Sequence, residues 1–281
     1  MPVLLIFFLF VLPDLKRLQL ILLAVPGFLN ATVAVLVTFS LIELTRFLIK
    51  QQRGSKLVKA LHQLEFPYYH ALTANYKKEF ERRVISFVHQ KEFVPRGKAF
   101  EVTEAMKVSI AACATQLTFG LEPVYFSHFR RILVYPDRYY STIFKRYHCG
   151  EVSMRGLIVL SWNDFMFGYN HASDGVNLGL HEMAHALHLE NKIPNDEYNF
   201  LDHQQLQKWQ AVAEAEKAAL PEREVRFLRL YATTDTHEFF AVCVESFFER
   251  PNQFLVEYPA LYKALVKLLN QDPARGIVRL V

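Results

Sequence analysis

Residues 181–188 read HEMAHALH. His181 and His185 lie four apart, which on an α-helix puts both imidazoles on one face and lets them hold one ion. Glu182 is rotated by about 100° from His181. It need not be a ligand. From there it can reach a water activated by the metal and take its proton. Two nitrogen ligands and a general base on one rigid helix are the physical content of the HExxH pattern. The plain alternative is an amphipathic helix with histidines on a partly buried face. The small neighbours Ala184 and Ala186 suit both.

A zinc ion that does chemistry needs a third protein ligand and an open position. His188 follows one turn past His185 on the same face. Three ligands from consecutive turns would be nearly collinear, a poor fit to a tetrahedron. His188 is therefore expected in the core or behind a ligand. A metzincin spacing also fails, since it needs Gly at 188 and His at 191, where this chain has His188 and Asn191. The better source is YATTDTHEFFAVCVESFFERP (231–251). Glu238 opens an apolar helix that Phe239, Phe240, Val242, Phe247 and Phe248 would bury. A carboxylate at the start of a packed helix can reach a metal on its neighbour. Glu245, seven residues on, could compete for the ion or fix an imidazole N–H; a solvated glutamate is the simpler expectation. His237 is expected only to be adjacent. Tyr231 could donate its O–H to a developing oxyanion. A buried tyrosine with a structural hydrogen bond fits that pattern better.

The chain has 281 residues, 52% hydrophobic and 14% aromatic, with net charge +4 and a pI near 8.8. The small, dispersed positive excess excludes a nucleic-acid footprint. Cys113, Cys149 and Cys243 are odd in number and far apart. That favours buried free thiols over a disulfide framework. The apolar excess concentrates at the start. LQLILLAVPGFLNATVAVLVTFSLI (18–42) carries no charge over 25 residues. As a helix it would cover about 37 Å, enough for a ~30 Å hydrocarbon core. Pro26-Gly27 could kink it. The opening MPVLLIFFLFVLP is short for a span. A cleaved signal peptide is disfavoured by the missing basic leader and the length of the apolar run. Residues 1–54 are thus expected to be a membrane-anchor region. Lys16 and Arg17 precede the run, whereas Arg46, Lys50, Arg53, Lys56 and Lys59 follow it. The positive-inside bias places the remainder in the cytoplasm.

Residues 55–281 show no linker or repeat and are expected to form one domain. Apolar spacing predicts helices over 56–92 and 101–119, with Thr103 as a cap, then over 174–191, 235–250 and 259–270, while 203–219 reads as a polar helix. ILVYP (132–136) and LIVLSW (157–162) read as short strands. The fold class is α+β, predominantly α.

Taken together, ILVYP (132–136), IVLSWNDF (158–165), DGVNLGLHEMAHALHLEN (174–191), YATTDTHEFFAVCVESFFERP (231–251) and FLVEYPALYKALVKLLNQDP (254–273) resemble the Mlc titration factor A family of zinc-dependent metallopeptidases. That family is gluzincin-like and similar to the catalytic domain of anthrax lethal factor. It has a distant glutamate as third zinc ligand and a tyrosine seven residues before it. The resemblance implies a zincin-like domain, zinc held by His181, His185 and Glu238, Glu182 as base and Tyr231 as oxyanion stabiliser. It implies peptidase or aminopeptidase activity on peptide or protein substrates. The competing reading is non-enzymatic: a membrane-tethered regulator that keeps this fold and works by binding a protein partner such as a transcriptional regulator, since the resemblance also implies a link to a sugar-responsive repressor. The strand 157–162, just before the site helix, is a candidate exposed edge for an extended substrate. This sequence departs from the family at His188, where aspartate is usual, and in its hydrophobic first 50 residues.

Overall fold

The computed structural model describes residues 27–141, 145–171, 173–222 and 227–280. Residues 18–26 of the expected span, with Pro26, lie outside the described residues. The chain divides into two units, Met1–Lys56 and Leu57–Val281.

Helix α1 (Gly27–Gln63) is 37 residues long, or about 55 Å at 1.5 Å per residue. Its stretch Thr32–Gln63 contains an 18-residue window with a mean hydropathy of 1.8 and is long and apolar enough to cross a membrane by length and composition. Val35, Leu36, Phe39 and Phe47 are 60–67% exposed. Large apolar side chains in such a row ask for a cover. The helix runs on through the basic residues that follow residue 42, where the sequence suggested a fresh start. Arg and Lys are good helix formers, and the lone Gly54 costs only about 1 kcal/mol relative to alanine. From Leu57 onward the helix belongs to the second unit, where Leu57 and Leu61 are buried.

The second unit is mostly helical around a small mixed sheet. Helices α2 (Pro67–Ala71) and α3 (Ala74–Gln90) come first. The Thr73 side chain caps α3, which buries Phe80, Val84, Phe87 and Val88. Helix α4 (Glu104–Thr118) is capped by Thr103 as expected and is buried on nearly every face. The sheet holds β1 (Glu92–Pro95), β2 (Arg131–Tyr135), β5 (Gly150–Ser153) and β6 (Leu157–Ser161) in the order β1-β2-β6-β5. The first three are parallel and β5 is antiparallel to β6. Strand 157–161 is therefore paired on both sides, with Ile158 and Leu160 fully buried. It is not the exposed edge; β5 is. Hairpin β3 (Tyr139–Ser141) and β4 (Arg146–His148) stands apart. These polar strands, like β1, are too short to show an alternation in sequence.

Ser161 ends β6 and caps α5 (Trp162–Asn170), accepting from the Asp164 N–H at 3.3 Å. Helix α6 (Leu178–Glu190) begins four residues later than its pattern suggested. Gly175 has a φ of +78°, a left-handed turn that bars an earlier start. Helices α7 (His203–Ala219), α8 (Thr236–Glu249), α9 (Pro251–Glu257) and α10 (Pro259–Leu269) complete the unit. The core joins α4, α6, α8 and α10 to the sheet through Ile110, Met183, Leu187, Phe239, Phe247 and Leu265. The three cysteines are free.

Candidate metal centre

Two helix starts build the centre. Asn177 caps α6 by accepting from the Leu180 N–H at 3.0 Å. Its own N–H donates to Glu245 Oε2 at 2.5 Å and its amide to Glu249 Oε1 at 3.0 Å, which ties the head of α6 to α8. Asp235 caps α8 by accepting from the His237 and Glu238 N–H groups at 2.7 and 2.9 Å. Glu238 thus sits in the first turn of α8, where the helix dipole favours its charge. Buried Met183, Ala184 and Leu187 on α6, with Phe239 and Phe240 on α8, hold each helix in the core.

This packing brings together three residues 57 positions apart in sequence at most. His181 Nε2 lies 3.1 Å from His185 Nε2 and 3.0 Å from Glu238 Oε2. His185 Nε2 lies 3.5 Å from Glu238 Oε1. On its other side His181 Nδ1 faces Glu245 Oε1 at 2.9 Å. Glu245 can only accept, so this contact places the proton on Nδ1 and turns the Nε2 lone pair inward. Glu245 is 1% exposed and is also held by Arg229. It is not the solvated glutamate that its position suggested, because α8 presents that face to α6 rather than to water.

A family model described as glucose-regulated metallo-peptidase M90 matches residues 42–269. The chain belongs to this family. Among its relatives is Mlc titration factor A of Escherichia coli O9:H4 (strain HS), 25% identical over 250 residues that cover 80% of this chain and 93% of the relative. The protein of the same name from Escherichia coli O8 (strain IAI1) is 26% identical over 250 residues, with the same coverage of 80% and 93%. That of Shigella sonnei (strain Ss046) is 25% identical over 248 residues, covering 79% of this chain and 92% of the relative. The M90 match begins inside α1, so residues 1–41 precede it.

A metallo-peptidase of this family needs a metal, and the donor set in this M90 chain fits one. One donor atom from each of His181, His185 and Glu238 lies within 4.8 Å of the others. Zinc–ligand bonds of 2.0–2.2 Å at tetrahedral angles separate neighbouring ligand atoms by about 3.4 Å. Glu238 Oε2 is buried and completes no hydrogen bond among the described residues, despite its closeness to His181. Acceptors facing acceptors repel unless a cation lies between them. The electrostatics say the same. Burial opposes charge on His181, yet Glu238 and Glu245 outweigh it and lift the imidazole to about 10. Burial would raise Glu238, yet His181 and His185 hold it far below the usual carboxylate range. The cluster demands positive charge.

Glu182 is 5% exposed and lies beside the pair. Burial raises its carboxyl to about 7, with Glu238 and Glu245 adding to the effect and the two imidazoles opposing it. It rests against β5 at Gly150, where a Cβ would come within 2.2 Å of Glu182 Oε1. The sequence reading passed over Gly150. A lone glycine inside a strand is the signal that could have found it, since it marks a close approach.

Tyr231 lies in a 3-10 turn, Leu230–Thr233, with its ring centroid 6.2 Å from that of His181. It is 49% exposed rather than buried as its pattern favoured. Burial of its hydroxyl raises its pKa to about 12, and Glu238 adds to this. His188 is not one of the three donors. It lies one turn further along α6, covered by His237 at 4.3 Å and Phe240 at 6.4 Å between ring centroids. There burial, with help from His237 and Lys192, lowers its pKa to about 3. The centre opens on a cleft of about 710 Å³, walled by β4, β5, α5 and α6.

Proposed function

We propose that this chain is a zinc-dependent peptidase anchored to a membrane by its N-terminal apolar helix. Its residues 55–281 form a zincin-like catalytic domain facing the cytoplasm. The observation that carries this reading is the convergence of His181, His185 and Glu238 on one point, with the buried Glu182 beside them. These three residues would hold the zinc. The ion, when bound, supplies a Lewis acid that acidifies water and polarises a peptide carbonyl.

Glu182 takes the proton of the attacking water and returns it to the leaving amine. A carboxyl raised to about 7 suits both steps near neutral pH. Tyr231 donates its O–H toward the carbonyl oxygen as charge develops there; at about 12 it stays protonated at neutral pH. Glu245, steadied by Arg229 and the Asn177 N–H, holds His181 in the tautomer that ligation needs. The edge strand β5 offers main-chain partners to an extended peptide on the wall of the cleft. Arg46, Lys50, Arg53, Lys56 and Lys59 after the apolar run set the orientation.

The relatives' printed name ties those proteins to a factor called Mlc. It supports a second reading, a tethered regulator of the same fold that works by binding a protein partner such as a transcriptional regulator. The deciding experiment uses the full chain in detergent. Elemental analysis is expected to give about one zinc per chain, lost in Glu238→Ala. Peptide hydrolysis is expected in the wild type and absent in Glu182→Gln. A well-folded wild type without metal overturns the peptidase reading. Zinc retained without hydrolysis of any peptide favours the regulator.

A further inference from the structure

Three guanidinium groups line the cleft: Arg138, Arg146 and Arg229. Two are already engaged. Arg138 donates twice to Asp164 Oδ1, from Nε at 3.0 Å and from Nη2 at 2.8 Å. Arg229 is bound to the buried Glu245. Arg146 has no carboxylate partner among the described residues. Its polar contact there is a bond from Nε to His148 Nε2 at 3.2 Å. The carboxylates of the wall leave it none: Asp164 and Glu245 are taken, Glu182 and Glu238 belong to the centre, and Glu151 accepts from the Tyr139 hydroxyl at 3.3 Å.

The group is also held in place. His148 stacks on Tyr139, with centroids 6.1 Å apart, and Tyr139 stacks on Tyr135 at 4.6 Å. This aromatic ladder supports the partner of Nε and leaves Nη1 and Nη2 without a partner among the described residues. Arg146 lines the same cleft as Tyr231, His181, His185 and Glu238, so the guanidinium faces the space in which the scissile bond would lie. A planar fork with two open N–H groups matches a carboxylate.

We infer that Arg146 is a substrate-recognition residue, one that binds a carboxylate of the peptide close to the scissile bond. The inference deepens the peptidase assignment proposed above and rests on it. The carboxylate belongs either to an acidic side chain or to a free C-terminus, and the two are separable.

The test is calorimetric binding to the full-length, zinc-loaded Glu182→Gln chain in detergent. Four hexapeptides of otherwise common sequence serve as probes: neutral and amidated, amidated with one Glu, neutral with a free C-terminal carboxylate, and amidated with one Lys. The Glu peptide or the free-carboxylate peptide is expected to bind about 10- to 100-fold more tightly than the neutral one. Whichever gains names the source. Arg146→Met in the same background is expected to erase the preference, and Arg146→Lys to keep part of it. Equal binding of all four, no binding of any, or a preference that survives Arg146→Met overturns the inference. Hydrolysis by the wild type is followed in parallel. An acid preference that depends on Arg146, with no peptide cleaved, removes the peptidase assignment and leaves the recognition role standing.

Discussion

The two ends of α6 bury polar side chains in opposite ways. At the C-terminal end Glu190 is fully buried and fully satisfied. It accepts from the His128 N–H at 3.1 and 3.2 Å and from the Asn195 amide at 2.6 Å. Nearby Glu197 accepts from the Tyr125 and Ser127 N–H groups at 2.6 and 3.1 Å, and Lys91 donates to the Phe126 carbonyl at 2.7 Å. Every acceptor there has a donor, and the result is a clamp on the loop before β2. At the N-terminal end His181, His185 and Glu238 set acceptor against acceptor. Among the described residues no Lys or Arg pairs with Glu238; its charged partners are the two imidazoles alone. A buried polar cluster that closes on itself is architecture. One that leaves a definite deficit marks the ligand it is built for.

The largest effect that sharpens this contrast is on activity alone. Glu182→Gln is expected to lower peptide hydrolysis by about 10³-fold, with a melting temperature equal to or above that of the wild type. A burial that lifts a carboxyl to about 7 is a strained one, so its neutral amide relieves the fold. Hydrolysis assays and thermal melts on the same preparation check both halves. Gly150→Ala comes next. Its new methyl would meet the end of the Glu182 side chain, not backbone. It should displace the base and reduce kcat by about 10²-fold while the fold survives. A variant with full activity would show that Glu182 need not lie where the structure puts it.

Stability should respond the other way round. Glu190→Ala leaves buried donors without an acceptor and is expected to cost about 3 kcal/mol, with or without zinc, as read by denaturant unfolding. A chelator is expected to destabilise the wild type by about 3–4 kcal/mol if free zinc had stood at 100 to 1,000 times its Kd. The same chelator should leave His181→Ala unmoved. If chelation shifted both proteins alike, the deficit at the N-terminal end would not be a metal site.

The smallest effect is a pH slope at Glu249, which joins the two helices through Asn177. Burial raises this carboxyl to about 7, against hydrogen bonds from Asn177 and Gly175. Between the ordinary value of 4.5 and about 7 the folded state therefore binds more protons than the unfolded one. The stability contributed by the protonated form is complete below 4.5 and lost as pH rises through 7. The slope is at most about 1.4 kcal/mol per pH unit. Glu249→Gln should flatten it in zinc-free urea titrations across that window.

Much of this is legible in the amino-acid sequence. Helix periodicity located α4, α6, α8 and α10, because each buries one face or more at regular spacing, and α7 was legible as a polar helix that buries only Trp209 and Ala213. The Thr103 cap was legible for the same local reason, a hydroxyl at the foot of an apolar run. The short strands β1, β3, β4 and β5 were not, since three or four residues are too few to show a period. The edge position of β5 was misplaced onto residues 157–162, because pairing partners are not written in a strand's own residues. The continuity of α1 past residue 42 was also missed, since a run of basic residues reads as a boundary while its helix propensity says otherwise.

What the sequence by itself determined is the candidate metal-site helix: two histidines one turn apart with a carboxylate beside them fix their relative directions through local geometry alone. What it could not decide is the use of the residues beyond that helix. Glu238 and Glu245 lie two turns apart on one face of α8, about 10 Å along its axis, and either could have met an imidazole. The docking of α8 against α6 chose Glu238 for the inner nitrogens and Glu245 for the outer one. It also put His188 under His237 and Phe240, away from the donors. The reason is that a helix sets which side chains share a face, whereas only the packing of one helix on another sets which of them meet.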